Sequence, residues 1–449
     1  MTTSISTATV VGIQARPVTV SCTVRPGLPD FTISGLPEQA VRETRVRVRS
    51  AVRHTGLPFP DGKVTVTFDP PVAGGRSEFD LPIALAVLGI HVDPQRFVVG
   101  ELSLTGQVRG VCGISCLHDL NTTLVVPADN AGEVAELALP AQDLGQVVAC
   151  LKGEQAWPDI PTEQHAAPLY PLDWSDVRGH EQAKRALEVA AAGGHNVLLC
   201  GTPGTGKTML ARRLPTILPP MLPEEEREVR QVLSVAGLLP NNTHRLHARP
   251  FRAPHHTASA AALVGGGSIS RPGEVSLAHH GVLFLDELAE FPRHVLESAL
   301  PAVARGEVKV TRARQTAVFP AKALLVAACN PCPCGYFGIT EGRRGCECSP
   351  TARQRYYERM APAKGAFDIQ VRLPVQSALT LGQSQPGEDS ATVRARIVAA
   401  RGILDQWLDP ASTALERVAR TIAALAGSYA VLPEHRAEAA TLTDILLAE

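Results

Sequence analysis

Eight consecutive residues from Gly201 to Thr208, of sequence GTPGTGKT, combine three glycines with a lysine and hydroxyl side chains. They follow an apolar run, Val197–Cys200, and precede a helical pattern that begins at Met209. Glycines allow backbone N–H groups to converge on phosphate oxygens, and the start of the following helix favours the same anion. In such a loop Lys207 reaches the β and γ phosphates, and Thr208 offers its hydroxyl to Mg²⁺. The predicted loop comprises Gly201, Thr202, Pro203, Gly204, Thr205, Gly206, Lys207 and Thr208.

Two further apolar runs end in polar side chains. The run Gly281–Leu285 is followed by Asp286 and Glu287, and the run Ala323–Cys329 is followed by Asn330. Buried parallel strands have continuous apolar sequences, and ligands bind at their carboxyl ends. We therefore expect Asp286 to hold Mg²⁺, directly or through water, and Glu287 to polarise an attacking water. Asn330 either orients that water or contacts the γ-phosphate; the alternative is an ordinary turn residue at a strand end.

Four of the ten cysteines lie close together in the sequence as two Cys-x-Cys pairs. The cluster consists of Cys332, Cys334, Cys346 and Cys348. Four thiolates can form a closed tetrahedral Zn²⁺ site, although the spacing within each pair is shorter than usual. Reduced thiols without a metal, packed in a loop, are the alternative interpretation. The adjacent His255 and His256 are expected to make local hydrogen bonds rather than to share a metal.

The elements that must position these residues divide the chain into four parts. Residues 1–155 contain strands of period two near Val10, at 18–24 and at 63–68, with a helical stretch between, which predicts an α+β domain. Residues 156–172 are punctuated by proline and read as a linker. In residues 173–375 apolar strands alternate with helical segments, which predicts a parallel sheet with crossover helices. Residues 376–449 show two amphipathic helices, the first ended by Pro410.

Composition narrows the functional classes. With 45% hydrophobic and 19% charged residues in 449, the chain is neither disordered nor a small disulfide scaffold. Its 43 basic and 44 acidic residues provide no global positive field, so nucleic acid would require a local basic patch. The sequence contains no apolar run of membrane-spanning length, and its N-terminus lacks the pattern of a signal peptide. We expect a cytoplasmic protein with reduced thiols and no membrane partner.

Several segments together resemble the magnesium-chelatase-like AAA+ ATPases of the YifB/ComM type. They are the loop Gly201–Thr208, the strand end Leu285–Glu287, and the stretches Phe251–Ser259, Leu263–Ser268, Arg271–Glu274 and Asn330–Gly335. The segments Pro26–Pro29, Ser34–Pro37, Phe79–Ile83 and Gly100–Leu104 resemble that family's Lon-protease-like N-terminal domain. The resemblance implies an α/β fold: an AAA+ P-loop ATPase core, an N-terminal α+β Lon-protease-like (S5 domain 2-like) domain and a short C-terminal helical lid.

The same resemblance implies an activity and partners. Members are associated with competence, where a hexameric helicase migrates DNA branches, so the chain is expected to use ATP and Mg²⁺, to form a ring homo-oligomer, a hexamer, and to act on DNA. Two alternatives remain open at this point. The chain could instead remodel a protein partner in the manner of a chelatase, or serve as a nucleotide-gated assembly subunit with little turnover.

The N-terminal domain departs from a protease. Ser77 lies near the position expected for a nucleophile, but Ser115 occupies the position where a Ser-Lys protease would need lysine. We therefore predict a scaffold without proteolytic activity.

The core also departs from the family pattern at its arginines. The family's Asp-Arg pair falls on Gly365 and Ala366, which removes the candidate trans-acting arginine finger, and Leu300 stands where an arginine is usual. Arginine fingers are worth about 10³–10⁵ in rate, so turnover is expected to be weak unless another cation substitutes. The candidate substitutes are Arg355, Arg359 and Lys364, and the nearest candidates for a second sensor arginine are Arg417 and Arg420.

Two loops offer arginines for nucleic acid. The run Gly265–Gly267 has no following lysine, so it is not a second phosphate loop, and it could form a hairpin tip facing a ring pore. Arg271 near this tip, and Arg312 and Arg314 between two strands, could contact phosphates. Flexible surface turns are the equally weighted alternative.

Overall fold

The computed structural model describes most of the chain. The described residues are 2–72, 77–160, 172–240, 246, 248–267, 270–312, 315–338, 345–376, 387–407 and 413–443. Part of the predicted linker, the polar break before residue 387 and Pro410 lie outside these ranges. Within them, no helix is long and apolar enough to cross a membrane.

The N-terminal region begins with a four-stranded mixed sheet in the order β1-β2-β4-β3. Its strands are β1 (Thr2–Val11), β2 (Gln14–Arg25), β3 (Asp30–Ser34) and β4 (Lys63–Asp69). Val18, Val20 and Cys22 of β2 are buried because alternate residues of a strand face the same side. Helix α1 (Glu38–His54) joins the parallel strands β3 and β4, and helix α2 (Asp80–Val87) contacts β1 and β2.

The remainder of this region is built from short elements. A three-stranded parallel sheet has the order β5-β8-β9, and β6 pairs antiparallel with β7. The strands are β5 (Phe97–Val98), β6 (Glu101–Leu102), β7 (Val108–Arg109), β8 (Leu124–Pro127) and β9 (Ala138–Ala141). Two 3₁₀ helices, Ile114–Leu120 and Ala128–Val134, and helix α3 (Leu144–Leu151) complete it.

The second region is built on a five-stranded parallel sheet, so the predicted α/β class with a parallel sheet is confirmed. The strand order is β11-β14-β17-β10-β18. The strands are β10 (Val197–Gly201), β11 (Phe251–Arg252), β14 (Val282–Leu285), β17 (Leu324–Cys329) and β18 (Ile369–Leu373). Val197 and Leu199 pack into one core and Leu198 and Cys200 into another, because the sheet is covered on both faces.

Helices and two hairpins surround this sheet. The helices are α4 (Glu181–Gly193), α5 (Lys207–Ile217), α6 (Pro223–Ala236), α7 (Ala260–Val264), α8 (Glu274–Leu277), α9 (Arg293–Arg305) and α10 (Pro350–Arg359). The hairpins pair β12 (Gly265–Gly266) with β13 (Arg271–Pro272) and β15 (Glu307–Arg312) with β16 (Gln315–Pro320). Three further 3₁₀ helices span Trp174–Asp176, Leu288–Glu290 and Ala361–Ala363.

The C-terminal part contains three described helices, so the prediction of two was incomplete. They are α11 (Ser390–Leu404), α12 (Ala414–Leu425) and α13 (Pro433–Thr443). Val393, Ile397 and Ala400 of α11 share one core with α4 and α5. Helix α13 was missed because its alanine-rich sequence has little apolar periodicity; it buries only Ala439, Leu442 and His435.

The two regions contact each other through α6. The Ser234 hydroxyl accepts hydrogen bonds from the backbone N–H groups of Gly113 (3.1 Å) and Ser115 (3.3 Å) and donates to the Glu133 carboxylate. The amide Nε2 of Gln231 donates to Asp119 at 3.0 Å. These partners belong to the N-terminal region, so α6 lies against that region as well as against the core.

Candidate functional site

The loop Gly201–Thr208 connects the central strand β10 to helix α5. Gly204 and Gly206 have φ angles of +82° and +85°, in the left-handed region that glycine adopts without strain. A β-carbon on Gly201 would lie 2.8 Å from the Thr205 hydroxyl, so only glycine fits there. Gly206 immediately precedes the first turn of α5, whose N–H groups have no partner within the helix. The loop is therefore shaped to present backbone donors to an anion.

The Lys207 side chain lies over this loop and is mostly buried. Its Nζ donates to the carbonyls of Gly201 (2.6 Å) and Thr202 (2.8 Å) and to Oδ1 of Asn330 (3.1 Å). Burial lowers the pKa of Lys207, while the nearby Cys329, Cys200 and the acids of the site oppose that shift. A phosphate would bring the anionic partner that this ammonium group lacks among the groups it now contacts.

The two acids that follow β14 lie beside the start of α5. The Thr208 hydroxyl donates to Oδ2 of Asp286 at 2.8 Å, and the Glu287 backbone N–H donates to Oδ1 of Asp286 at 3.0 Å. A hydroxyl and a carboxylate oxygen at this separation are ligands that Mg²⁺ accepts. Thr208 and Asp286 are therefore the residues that could hold the metal.

Glu287 is held in an uncommon backbone conformation. Its φ is +53°, a left-handed value that costs a non-glycine residue energy and is concentrated at functional sites. The side chain is 56% exposed, and Nδ1 of His256 lies 3.4 Å from its Oε2. The sequence did not predict this contact, because His256 lies in the loop after β11 and Glu287 in the loop after β14, and only the fold brings the two loops together.

Asn330 ends β17 next to the phosphate loop. Strand β17 lies between β10 and β14 in the sheet, so the ends of all three strands are neighbours. The backbone N–H of Asn330 donates to the Tyr356 hydroxyl at 3.2 Å, and the Tyr357 hydroxyl donates to the carbonyl of Pro331 at 2.7 Å. These two tyrosines of α10 were also missed, since nothing in their local sequence marks them.

The four clustered cysteines come together immediately after Asn330. Sγ of Cys332 lies 3.3 Å from that of Cys334 and 3.6 Å from that of Cys346, and the latter two are 3.7 Å apart. Cys348 completes a group whose ligand atoms all lie within 4.8 Å of one another. All ten cysteines are free thiols.

The remaining loop residues have separate positions. His255 bonds locally to the Thr257 hydroxyl at 2.8 Å, as expected, yet its ring centroid is only 4.1 Å from that of His256. Gly266 pairs with Arg271 in the short β12–β13 hairpin, and the Arg271 side chain is exposed. Arg314 lies outside the described residues, and of Arg312 only the backbone is described.

The two serines of the predicted scaffold have unrelated partners. The Ser77 hydroxyl donates to the Glu101 carboxylate, and the buried Ser115 hydroxyl donates to Glu133 at 2.8 Å. Each serine thus pairs with an acid of its own, and neither of these contacts supplies the lysine base of a Ser-Lys protease.

The position of the family's arginine finger has no charged side chain in this chain, and the candidate substitutes lie at the surface. Ala366 has no charged side chain, and its backbone carbonyl accepts a hydrogen bond from the Asn196 side-chain amide. The preceding Gly365 has a φ of +84°. Arg355 and Lys364 are exposed, and Arg359 lies 3.6 Å from Glu290 at the surface.

The other family positions are occupied by packed or paired side chains. Leu300 is buried in the core below the sheet. Arg417 contacts Asp368 at 2.5 Å, and the guanidinium of Arg420 lies over the Trp407 ring at 5.2 Å. Arg420 therefore contacts a side chain of the C-terminal part, and Arg417 contacts the residue just before β18.

Comparison with known proteins gives consistent matches. A family model described as magnesium chelatase, subunit ChlI, matches residues 173–381, and a second one, subunit ChlI of Mg-chelatase, matches residues 20–130. The uncharacterized protein YifB of Salmonella typhimurium is 41% identical over 415 residues, which are 88% of this chain and 81% of that protein. Competence protein ComM of Haemophilus influenzae is 41% identical over 420 residues, 87% of this chain and 80% of ComM. The magnesium-chelatase 67 kDa subunit of Chlorobaculum tepidum is 31% identical over 164 residues, 36% of this chain and 23% of that subunit.

Proposed function

This chain belongs to the magnesium-chelatase-like family that includes YifB and ComM, and from that premise we propose that it binds ATP with Mg²⁺ and hydrolyses it. One observation supports this proposal above the others. Two side-chain hydrogen bonds form at the ends of three adjacent strands: Lys207 donates to Asn330, 123 residues away in the chain, and Thr208 donates to Asp286, 78 residues away. That is the set of groups that a magnesium–triphosphate requires.

Each residue has a role that follows from its position. The N–H groups of the loop and the Lys207 ammonium bind the β and γ phosphates, which replace the carbonyl partners of Lys207. Thr208 and Asp286 hold Mg²⁺, which neutralises charge that develops on the phosphates. Glu287 is exposed to water and next to Asp286, so its carboxylate can accept the hydrogen bond of an attacking water and orient it. The Asn330 side-chain amide contacts the γ-phosphate and holds it in position beside Lys207.

We further propose that the chain forms a ring homo-oligomer, a hexamer, in which a cation from a neighbouring copy completes this site. Within the contacts described above, Lys207 is the cation that lies at the ends of the three strands. The exposed Arg355 and Arg359 of α10, and the exposed Lys364 that follows this helix, lie on the surface and are available to an adjacent copy. Phosphoryl transfer gains about 10³–10⁵ in rate from such a group.

DNA is the substrate that we propose for this motor. The support is the family membership together with the exposed Arg271 on the short antiparallel β12–β13 hairpin, whose guanidinium can contact backbone phosphates. A near-neutral chain needs such a local contact, because its net charge of −1 provides no general attraction.

The nucleotide proposal is tested with three variants of the full chain. Lys207→Ala should lose ATP binding in calorimetry. Glu287→Gln should retain ATP binding but hydrolyse it about 10²–10⁴ times more slowly. Glu297→Gln removes an exposed acid that pairs with Arg293 along α9, and it should behave as the parent protein. Tight binding with no turnover in the parent protein would contradict hydrolysis and favour a nucleotide-gated assembly subunit.

The DNA proposal is tested by the ATPase rate with and without single-stranded and branched DNA across a salt series. Arg271→Ala should reduce stimulation and the salt dependence of binding. Arg42→Ala, which removes another exposed arginine, on α1 of the N-terminal region, is the control. Absence of stimulation and of binding at low salt would refute a DNA substrate and leave a protein partner as the alternative.

A further inference from the structure

The cysteine cluster has the dimensions of a metal site. Tetrahedral Zn²⁺ with Zn–S bonds of about 2.3 Å places its sulfur ligands about 3.8 Å apart. The three sulfur–sulfur distances given above, 3.3 to 3.7 Å, are close to that value. A disulfide would require about 2.05 Å, so these pairs are near one another without being bonded. We propose that Cys332, Cys334, Cys346 and Cys348 bind one Zn²⁺.

The backbone after Cys332 forms a tight turn that directs an N–H group at its sulfur. The Phe337 N–H donates to Sγ of Cys332 at 3.3 Å, and the Gly335 N–H donates to the carbonyl of Cys332 at 2.9 Å. Gly335 has a φ of +87°, which closes this turn. Backbone donors to a sulfur stabilise its thiolate form, the form that binds a metal. Binding of Zn²⁺ releases the thiol protons to solvent.

Sulfur ligands alone select the metal class. Four thiolates in a tetrahedral arrangement favour Zn²⁺ or iron, whereas Mg²⁺ and Ca²⁺ require oxygen ligands. A second group near α6, formed by Glu228, His279 and His280, is less suited to a metal. Nδ1 of His279 accepts the Lys322 N–H at 3.1 Å, so the ring proton lies on Nε2, the atom that faces Glu228.

The cysteine cluster also contacts the phosphate-binding residues. Cys332 follows Asn330 by two positions, and a β-carbon on Gly335 would lie only 2.7 Å from Cδ of Pro203 in the phosphate loop. The turn therefore packs directly against that loop while its start is continuous with Asn330. We infer that the metal holds Asn330 and Pro203 in place, which makes the cysteines positioning residues. This second part rests on the proposed ATPase function, whereas the metal site itself does not.

The metal site is tested on the purified full chain by elemental analysis. The parent protein and Cys112→Ser, which removes an exposed cysteine outside the cluster, should each contain about one zinc per chain. The double variant Cys346→Ser/Cys348→Ser should contain almost none. Parent protein that contains iron, or that contains no metal while its four thiols titrate as reduced, would overturn the proposal. Circular dichroism and gel filtration establish that each variant is folded.

The coupling to the nucleotide site has its own readout. In the folded double variant we expect kcat for ATP to fall about 10- to 100-fold, while ATP affinity changes much less, since misplacement of a positioning contact affects the reacting geometry most. Hydrogen exchange should rise at residues 201–208 and 330–337 when zinc is removed. Zinc loss without either change would refute the coupling. A zinc-containing parent protein that binds no ATP would refute the proposed function and leave the metal site intact.

Discussion

Removal of the Thr208 hydroxyl tests whether the site uses Mg²⁺ in the way its geometry suggests. In the structure this hydroxyl donates to Asp286 at 2.8 Å, and with a bound metal it would become a ligand instead. A hydrogen bond to a charged group is worth about 1.5–3 kcal/mol. Thr208→Ala should therefore weaken magnesium–ATP binding about 10- to 150-fold. Thr208→Ser keeps the hydroxyl and should remain close to the parent protein.

Calorimetry of ATP binding, with Mg²⁺ and again with EDTA, separates this effect from general damage to the loop. In EDTA the parent protein and Thr208→Ala should bind ATP equally weakly, because the hydroxyl then has no metal to ligate. With Mg²⁺, Thr208→Ala should bind ATP more weakly than the parent protein and Thr208→Ser. An equal loss in both conditions, or the same loss in Thr208→Ser, would refute the assignment of Thr208 as a metal ligand.

Two further predictions concern stability. Burial lowers the pKa of His279 to about 4, against about 6.5 in the unfolded chain, so this neutral histidine contributes stability above pH 6.5 that is lost as the pH falls towards 4. The free energy of unfolding should fall by about 3 kcal/mol at most over this range. Its pH dependence, measured by urea unfolding, should be flatter in His279→Gln. The control variant His294→Gln, at an exposed position of α9, should keep the pH dependence of the parent protein. Ser234→Ala removes the hydroxyl that joins Gly113, Ser115 and Glu133, each of which keeps another hydrogen-bond partner, and should lower stability by about 0.5–1.5 kcal/mol. Thermal melting checks it, with the exposed Ser298→Ala as control; an unchanged melting temperature would contradict it.

The parts of the fold that could be predicted are those that depend on local sequence. The strand β10, the glycine loop and the start of α5 follow one another within 21 residues and contain their own signals: an apolar run, glycines and a helical pattern. The run before Asp286 was equally clear, since a fully buried parallel strand is apolar throughout. By contrast α13 is anchored by only three buried side chains, and no periodicity marks it.

The parts that could not be predicted depend on neighbours far away in the chain. The strand order β14-β17-β10 places Asp286, Asn330 and Lys207 together, but the sequence states only that each follows an apolar run. His256 near Glu287 and Tyr356 at Asn330 are contacts of the same kind. For the cysteines, the short spacing left a zinc site and metal-free thiols as alternatives, whereas the folded loop brings the sulfurs to metal-like distances.

Contacts of α6 cross the predicted boundary at residue 155. The change from short strands to a parallel pattern is real, but it does not mark a gap in space, because α6 of the core buries Ser234 against the turn at Gly113 and the acid Glu133. The same helix holds Glu225 and Glu228 at the other side, where His280 lies within 3.2 Å and 2.9 Å of them just before β14. Helix α6 thus contacts the N-terminal region on one side and His280, just before β14, on the other. Because its contacts on both sides are buried or charge-assisted, displacement of either side breaks interactions on α6.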